Sequence, residues 1–168
     1  YDDATHSVVL NYADTESLGK GTESFTDPTF LNFLARTSDI AEEVEQSLHM
    51  KLISGGSEDP DKNGTYTIYR MQVENPAKYA KAYSKIIEAQ EEAGNIVGSY
   101  GLRQHVGGSV NYYTHYAYTS AGSMEEAMKS SEALYSSESF AKFSKEVSGN
   151  RKTMNISILS NLKTYNAN

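Results

Sequence analysis

The 168-residue sequence has no cysteine, which excludes disulfides, thiolate metal sites and thiol catalysis together. Tryptophan is also absent. Its 15 Lys and Arg are outnumbered by 22 Asp and Glu, leaving a net charge of -7, and they are nowhere clustered. A nucleic-acid interface or an anionic membrane would demand such a cluster, so neither is expected as a partner. No apolar run is long enough to span a bilayer. The four His show neither HxH nor HxxxH spacing, and no Gly-rich phosphate loop, nucleophile elbow or paired-carboxylate motif occurs, so neither a metal nor a cofactor is expected. There is no Met at the start. A Tyr1 start fits a mature or trimmed form, and the wealth of Ser, Thr, Asn and Tyr leads to the expectation of a periplasmic or extracellular protein, with the cytoplasm left open.

What is present is organised around Asn95 to Thr119. Two β-rich runs meet at Gly107-Gly108, a pair suited to the positive φ angles of a tight hairpin turn. A two-residue turn there sets Arg103 opposite Tyr112, Gly101 opposite Thr114 and Ser99 opposite Tyr116. One face would then carry Ser99, Arg103, His105, Tyr112, Thr114, Tyr116 and Tyr118. The other would carry Ile96, Tyr100, Leu102, Tyr113, His115 and Ala117, which suits a helix-covered core, with His115 a core residue. The first face is too polar for a core and too aromatic for plain solvent, as a lined cavity or a subunit interface would be.

Taken in order, the chain opens with an expected strand at His6–Tyr12, then a mobile loop over Asp14–Thr26. Asp27-Pro28 starts a helix bearing Phe30, Leu31, Phe33 and Leu34, and a second helical piece is expected from Ser38 to about Ser47. Strands follow at Leu48–Gly56 and Thr65–Val73. Ile53-Ser54-Gly55-Gly56-Ser57 matches His105-Val106-Gly107-Gly108-Ser109, and Tyr66 matches Tyr112, an internal repeat with Ser57–Lys62 inserted in the first copy. Asn75-Pro76 opens the clearest helix, with Tyr79, Tyr83, Ile86, Ile87 and Gln90 on one face and Gly94 at its end. Ser123-Met124-Glu125-Glu126 is a capping box. The helix it starts should kink or divide at Ser136–Ser139, and an alternating last strand carries Met154, Ile156 and Ile158.

The order from Thr65 to Tyr165 is βαββαβ, the ferredoxin-like order, which predicts an α+β protein: an antiparallel sheet with helices on one face. The division expected is 1–64, an N-terminal βαβ half-unit, and 65–168, the ferredoxin-like unit, together one compact domain. This arrangement, with its two Gly-Gly segments, resembles the dimeric α+β barrel superfamily, whose units bring open sheet faces together between chains or within a tandem chain. The resemblance implies a homodimer or intrachain sheet pairing, with a site between the sheets. Members include cofactor-free monooxygenases, isomerase-like enzymes and ligand-binding proteins without catalysis.

By the repeat, Tyr66, Ile68, Arg70 and Gln72 share the open face. Arg70, Arg103, His105, Tyr112, Tyr116, Tyr66 and Asn155 form the candidate ligand-binding cluster, able to hold a small anionic or aromatic ligand by guanidinium hydrogen bonds and ring stacking. His105, which titrates near neutrality, would be the general base if chemistry occurs. The leading expectation is a non-catalytic binding or assembly protein. The alternative is a small cofactor-independent enzyme of the monooxygenase or isomerase kind.

Overall fold

The computed structural model describes residues 4–109 and 111–165. The chain divides into two compact units, Tyr1–Gln46 and Ser47–Asn168. No described helix is long and apolar enough to cross a membrane.

Among its described residues the first unit contains two α-helices, α1 (Thr15–Glu23) and α2 (Pro28–Thr37), joined by a short 3-10 turn at Ser24–Thr26. Residues 14–26, read from composition as a mobile loop, are thus mostly helical. The cause is local: the Asp14 carboxylate accepts from Ser17 N at 2.7 Å, and Glu16 and Lys20 form an i,i+4 ion pair at 2.7 Å. The expected strand at His6–Tyr12 is not formed. Three adjacent apolar residues offer no alternation, and no strand is described in this unit to pair with them. The helical piece expected from Ser38 is also absent, because α2 closes at Ser38 and residues 41–46 are irregular. Glu42 and Glu45 would repel at i,i+3 spacing on such a helix.

In the second unit the five strands β1 (Ser47–Gly56), β2 (Thr65–Val73), β3 (Ser99–Gly108), β4 (His115–Ala121) and β5 (Arg151–Ser160) form one sheet in the order β1-β3-β4-β2-β5. Every neighbouring pair is antiparallel. Strands β2 to β5 with their helices are the ferredoxin-like βαββαβ unit, and β1 extends its sheet beyond β3. The helices α3 (Pro76–Glu92), α4 (Met124–Ser136) and α5 (Glu138–Glu146) lie on one side.

Helix α3 starts where Asn75 accepts from Lys78 N at 3.0 Å and Pro76 occupies the first turn, and it ends before Gly94 at φ 70°. Its Tyr79, Ala82, Tyr83, Ile86, Ile87 and Gln90 are buried at helical spacing. Ser137 separates α4 from α5: its hydroxyl accepts from Phe140 N and so caps the second helix. These stripes pack on Met71, Val73, Leu102 and Ala117, with Leu102 at 0% exposure. In β2 the buried Thr65, Thr67, Met71 and Val73 alternate with half-buried Tyr66, Ile68, Arg70 and Gln72, so the open face is the one the repeat predicts.

Gly107-Gly108 does not make a tight turn. Both glycines stay in β3 and pair with Leu48 and Ser47 of β1, while β3 meets β4 only through Tyr100–Gln104 against His115–Thr119. Arg103 therefore lies opposite Tyr116 rather than Tyr112. The edge strand β1 supplies hydrogen-bond partners to the Gly-Gly segment, and Thr114 is drawn to β2 by its N–H to Met71 O at 3.0 Å and its hydroxyl accepting from Val73 N at 2.9 Å. The displacement of four residues is even, so strand side chains keep their assigned faces.

Candidate functional site

One ladder row crosses the whole sheet: Lys51, Arg103, Tyr116, Arg70 and Asn155 are successive partners on β1, β3, β4, β2 and β5. Directly opposed residues share a face, so four of the seven sequence-selected residues stand in a line on the side of the sheet opposite α3, α4 and α5. The row is held in place by its own hydrogen bonds. Arg103 donates to Ile53 O at 2.8 Å and to the Tyr118 hydroxyl at 3.3 Å, with its guanidinium 5.4 Å from the Tyr118 ring centre. Arg70 donates to Ser157 Oγ at 2.9 Å, which donates in turn to Asn155 Oδ1 at 2.6 Å. Gly101 makes the close approach feasible, since a Cβ there would lie 2.5 Å from the Tyr118 ring and 2.8 Å from Arg103 Nη1.

Towards one end of the row stands a cluster of rings. His49 of β1 pairs with His105 of β3, their ring centres 5.5 Å apart. His49 Nε2 is 2.9 Å from the Tyr113 hydroxyl, and its ring meets Tyr116 edge-on at 4.8 Å. The Arg70 guanidinium sits 5.8 Å from the Tyr113 ring centre. His105 Nε2 is buried with no hydrogen-bond partner among the described residues. Burial, then the charges of His105, Arg70 and Arg103, push the His49 imidazole down to about 4. Burial raises the Tyr116 phenol above its usual range, against the pull of Arg103. Among the described residues, no carboxylate forms an ion pair with Arg103, and no group of three His, Asp or Glu could hold a metal ion.

The other sequence-selected residues sit around this centre. His105 belongs to the ring cluster. Tyr66 lies four positions along β2 from Arg70, its ring 6.0 Å from that of Tyr118, at the end away from the imidazoles. Tyr112 is outside the strands. Its carbonyl accepts from Gln72 Nε2 at 2.8 Å, and its ring packs at 4.9 Å on Tyr113.

Two members were missed. Tyr113 was assigned to the helix-covered face, but it belongs to the β3–β4 connection, where strand alternation does not apply, and it is buried at 3% exposure against His49 and His105. His49 is not among the residues selected from the sequence. Its place next to His105 follows from β1 pairing with β3, for which the sequence carries no turn or spacing signal. His115 is buried on the helix side as expected, its Nδ1 2.9 Å from Thr114 Oγ1, and burial lowers its pKa.

A cavity of about 90 Å³ lies on the opposite side of the sheet, between it and the helices. Tyr69, Tyr79, Tyr83, Ile86, Leu134 and Phe140 are among the residues that line it.

No family model matches the chain, and no curated protein does. Solved structures do. One is a candidate monooxygenase from Fusobacterium nucleatum, with TM-score 0.53, 14% identity, and coverage of 88% of this chain and 64% of that one. Another is a candidate monooxygenase from Lactobacillus acidophilus, with TM-score 0.50, 11% identity, and coverage of 83% and 62%. The shared property is the ferredoxin-like α+β fold. At such identities the likeness extends to the fold alone, and the chain spans less than two thirds of the length of either structure.

Proposed function

We propose that the chain is a binding protein of the α+β barrel type, holding a small anionic or aromatic ligand on the open sheet face. Arg103 carries this reading. Its guanidinium is half-buried, and among the described residues its hydrogen bonds go only to carbonyl and phenol oxygens and no carboxylate pairs with it. A guanidinium withdrawn from water without a counter-ion favours an anion arriving from outside, and the Tyr116 and Tyr118 rings beside it offer stacking surface to a planar ligand. Closure of the face would come from a second sheet, in a homodimer or in an intrachain pair.

A thermal-shift screen of small aromatic and aliphatic acids tests the proposal. Stabilisation of the wild type that is lost in Arg103→Ala is the expected outcome; ligand at about a hundred times its Kd would add roughly 2.7 kcal/mol. No stabilisation by any acid, in a protein that light scattering shows to be a monomer, removes the reading.

A second reading is a cofactor-independent monooxygenase- or isomerase-like enzyme, favoured by the aromatic-lined cavity beneath the helices and by the structural likenesses above. The cavity volume argues for the first reading, because 90 Å³ is well below the roughly 300–1,000 Å³ of ordinary ligand sites. Oxygen uptake in the presence of small phenols would restore the enzyme reading, and its absence would leave the binding protein.

A further inference from the structure

The sheet ends in β1 on one side and β5 on the other, and its two edges are built differently. β1 carries Lys51 near its middle, and its pairing with β3 shifts register between Leu48 and His49 and again between Lys51 and Ile53. Charges and bulges of this kind keep an edge from recruiting a foreign strand. β5 is 10 residues long, and from Thr153 to Ser160 it has neither a proline nor a charge. Its one register shift falls at Met154, so Asn155–Ser160 run in unbroken register with β2. The outer backbone edge of that segment has no partner strand among the described residues.

The side chains at this edge are as open as its backbone. The core draws on β1 to β4 through Ile53, Met71, Leu102 and Ala117, but on no described residue of β5. Tyr69 marks where the helix layer stops: its hydroxyl meets that of Tyr135 of α4 at 3.3 Å, and its neighbour on β5 is Ile156. Ile156 is 53% exposed, Ile158 40% and Tyr135 48%. Isoleucines along an unpaired edge make a surface that fits a further strand.

We propose that this edge pairs with the same edge of a second copy, antiparallel about a two-fold axis at Ser157. The strand's own sequence selects the register. Centring on Ser157 sets Ile156 opposite the partner's Ile158, and Ile158 opposite the partner's Ile156, with Arg151 and Lys152 outside the paired stretch. Centring on Asn155 would put Lys152 against Ile158, and centring on Ile156 would carry the bulged Met154 into the ladder. Such a contact is isologous, each copy offering the same patch, so it closes at two chains. The axis stands perpendicular to the sheet. Helices of both copies then share one side, and the two five-stranded sheets become one. The inference goes beyond the ligand reading and does not depend on it, because Arg103 lies on β3, away from this edge.

Because the chain has no cysteine, a single introduced thiol reports the contact. In the proposed register the two Cα atoms at position 157 stand about 4.5–5.5 Å apart, within reach of a disulfide. Ser157→Cys should therefore become a covalent dimer on mild oxidation, while Lys51→Cys on the opposite edge stays a single chain in non-reducing electrophoresis. Sedimentation of the wild type should give twice the 18.5 kDa of one chain. Ile156→Lys, a change at an exposed position, should halve that mass with circular dichroism unchanged. Arg103→Ala should leave the mass doubled, which separates this contact from closure of the open face. A wild type that sediments as a monomer at every concentration overturns the pairing, and so does equal cross-linking of Ser157→Cys and Lys51→Cys. A folded Ile156→Lys that stays dimeric, or a dimer lost in Arg103→Ala, overturns it as well.

Discussion

The hydrogen bond between His49 Nε2 and the Tyr113 hydroxyl, at 2.9 Å, ties edge strand β1 to the connection that carries the chain from β3 into β4. It joins residues far apart in sequence, and it lies where a neutral imidazole is favoured.

Tyr113→Phe should cost about 1 kcal/mol of stability, the worth of one hydrogen bond that leaves a partly buried imidazole partner behind. Urea unfolding at neutral pH checks it. A loss of several kcal/mol would mean that the phenol anchors more than His49.

The pH dependence of stability follows from the direction of the His49 shift. Its folded value, about 4, lies below the ordinary 6.5, so the unfolded chain binds more protons as the pH drops through that window. Stability should therefore decline from about pH 6.5 towards about pH 4, in part through His49, and His115 acts in the same direction. His49→Gln should flatten the decline measured by thermal melts, and an equally steep decline in that variant would remove His49 as its source.

Gly101→Ala should destabilise by about 1–3 kcal/mol, because its methyl group would press on the Tyr118 ring and the Arg103 guanidinium. Gly107→Ala is the control, as a Cβ there meets nothing within 4 Å. Equal melting temperatures for the two variants would show that Tyr118 and Arg103 move aside without cost.

Asn63→Ala should lower stability by about 2–4 kcal/mol. The buried Asn63 amide donates to Ser57 O at 2.9 Å and Asp59 O at 2.7 Å, and its oxygen accepts from Ser99 N at 3.1 Å and Ser99 Oγ at 2.7 Å. That knot joins the β1–β2 connection to the start of β3, and replacing the amide leaves several buried polar groups unsatisfied. Chemical denaturation showing a change below about 0.5 kcal/mol would mean that water replaces the side chain.

Local signals carried much of the architecture. Asn75-Pro76, the Ser123 capping box and Ser137 mark helix boundaries through bonds that form within a turn of the chain, and the structure places those boundaries accordingly. The open face of β2 was legible because alternation depends only on the strand's own pleat. Composition misled over residues 14–26, where a single Asp14 cap and one ion pair outweigh two glycines.

By itself the sequence determined the βαββαβ order from Thr65 onward and the set of side chains on each of those strands' faces, since helical stripes, caps and period-two alternation are properties of neighbouring residues. Only the tertiary structure decided which strands lie side by side. Pairing β1 with β3 depends on backbone groups some fifty residues apart finding one another, and it brings His49 to His105 while drawing Gly107-Gly108 out of a tight turn. Arg103 reached Tyr116 instead of Tyr112 for the same reason. The face survived that change because an even displacement preserves side-chain direction, whereas Tyr113, in the connection outside the ladder, had no such protection.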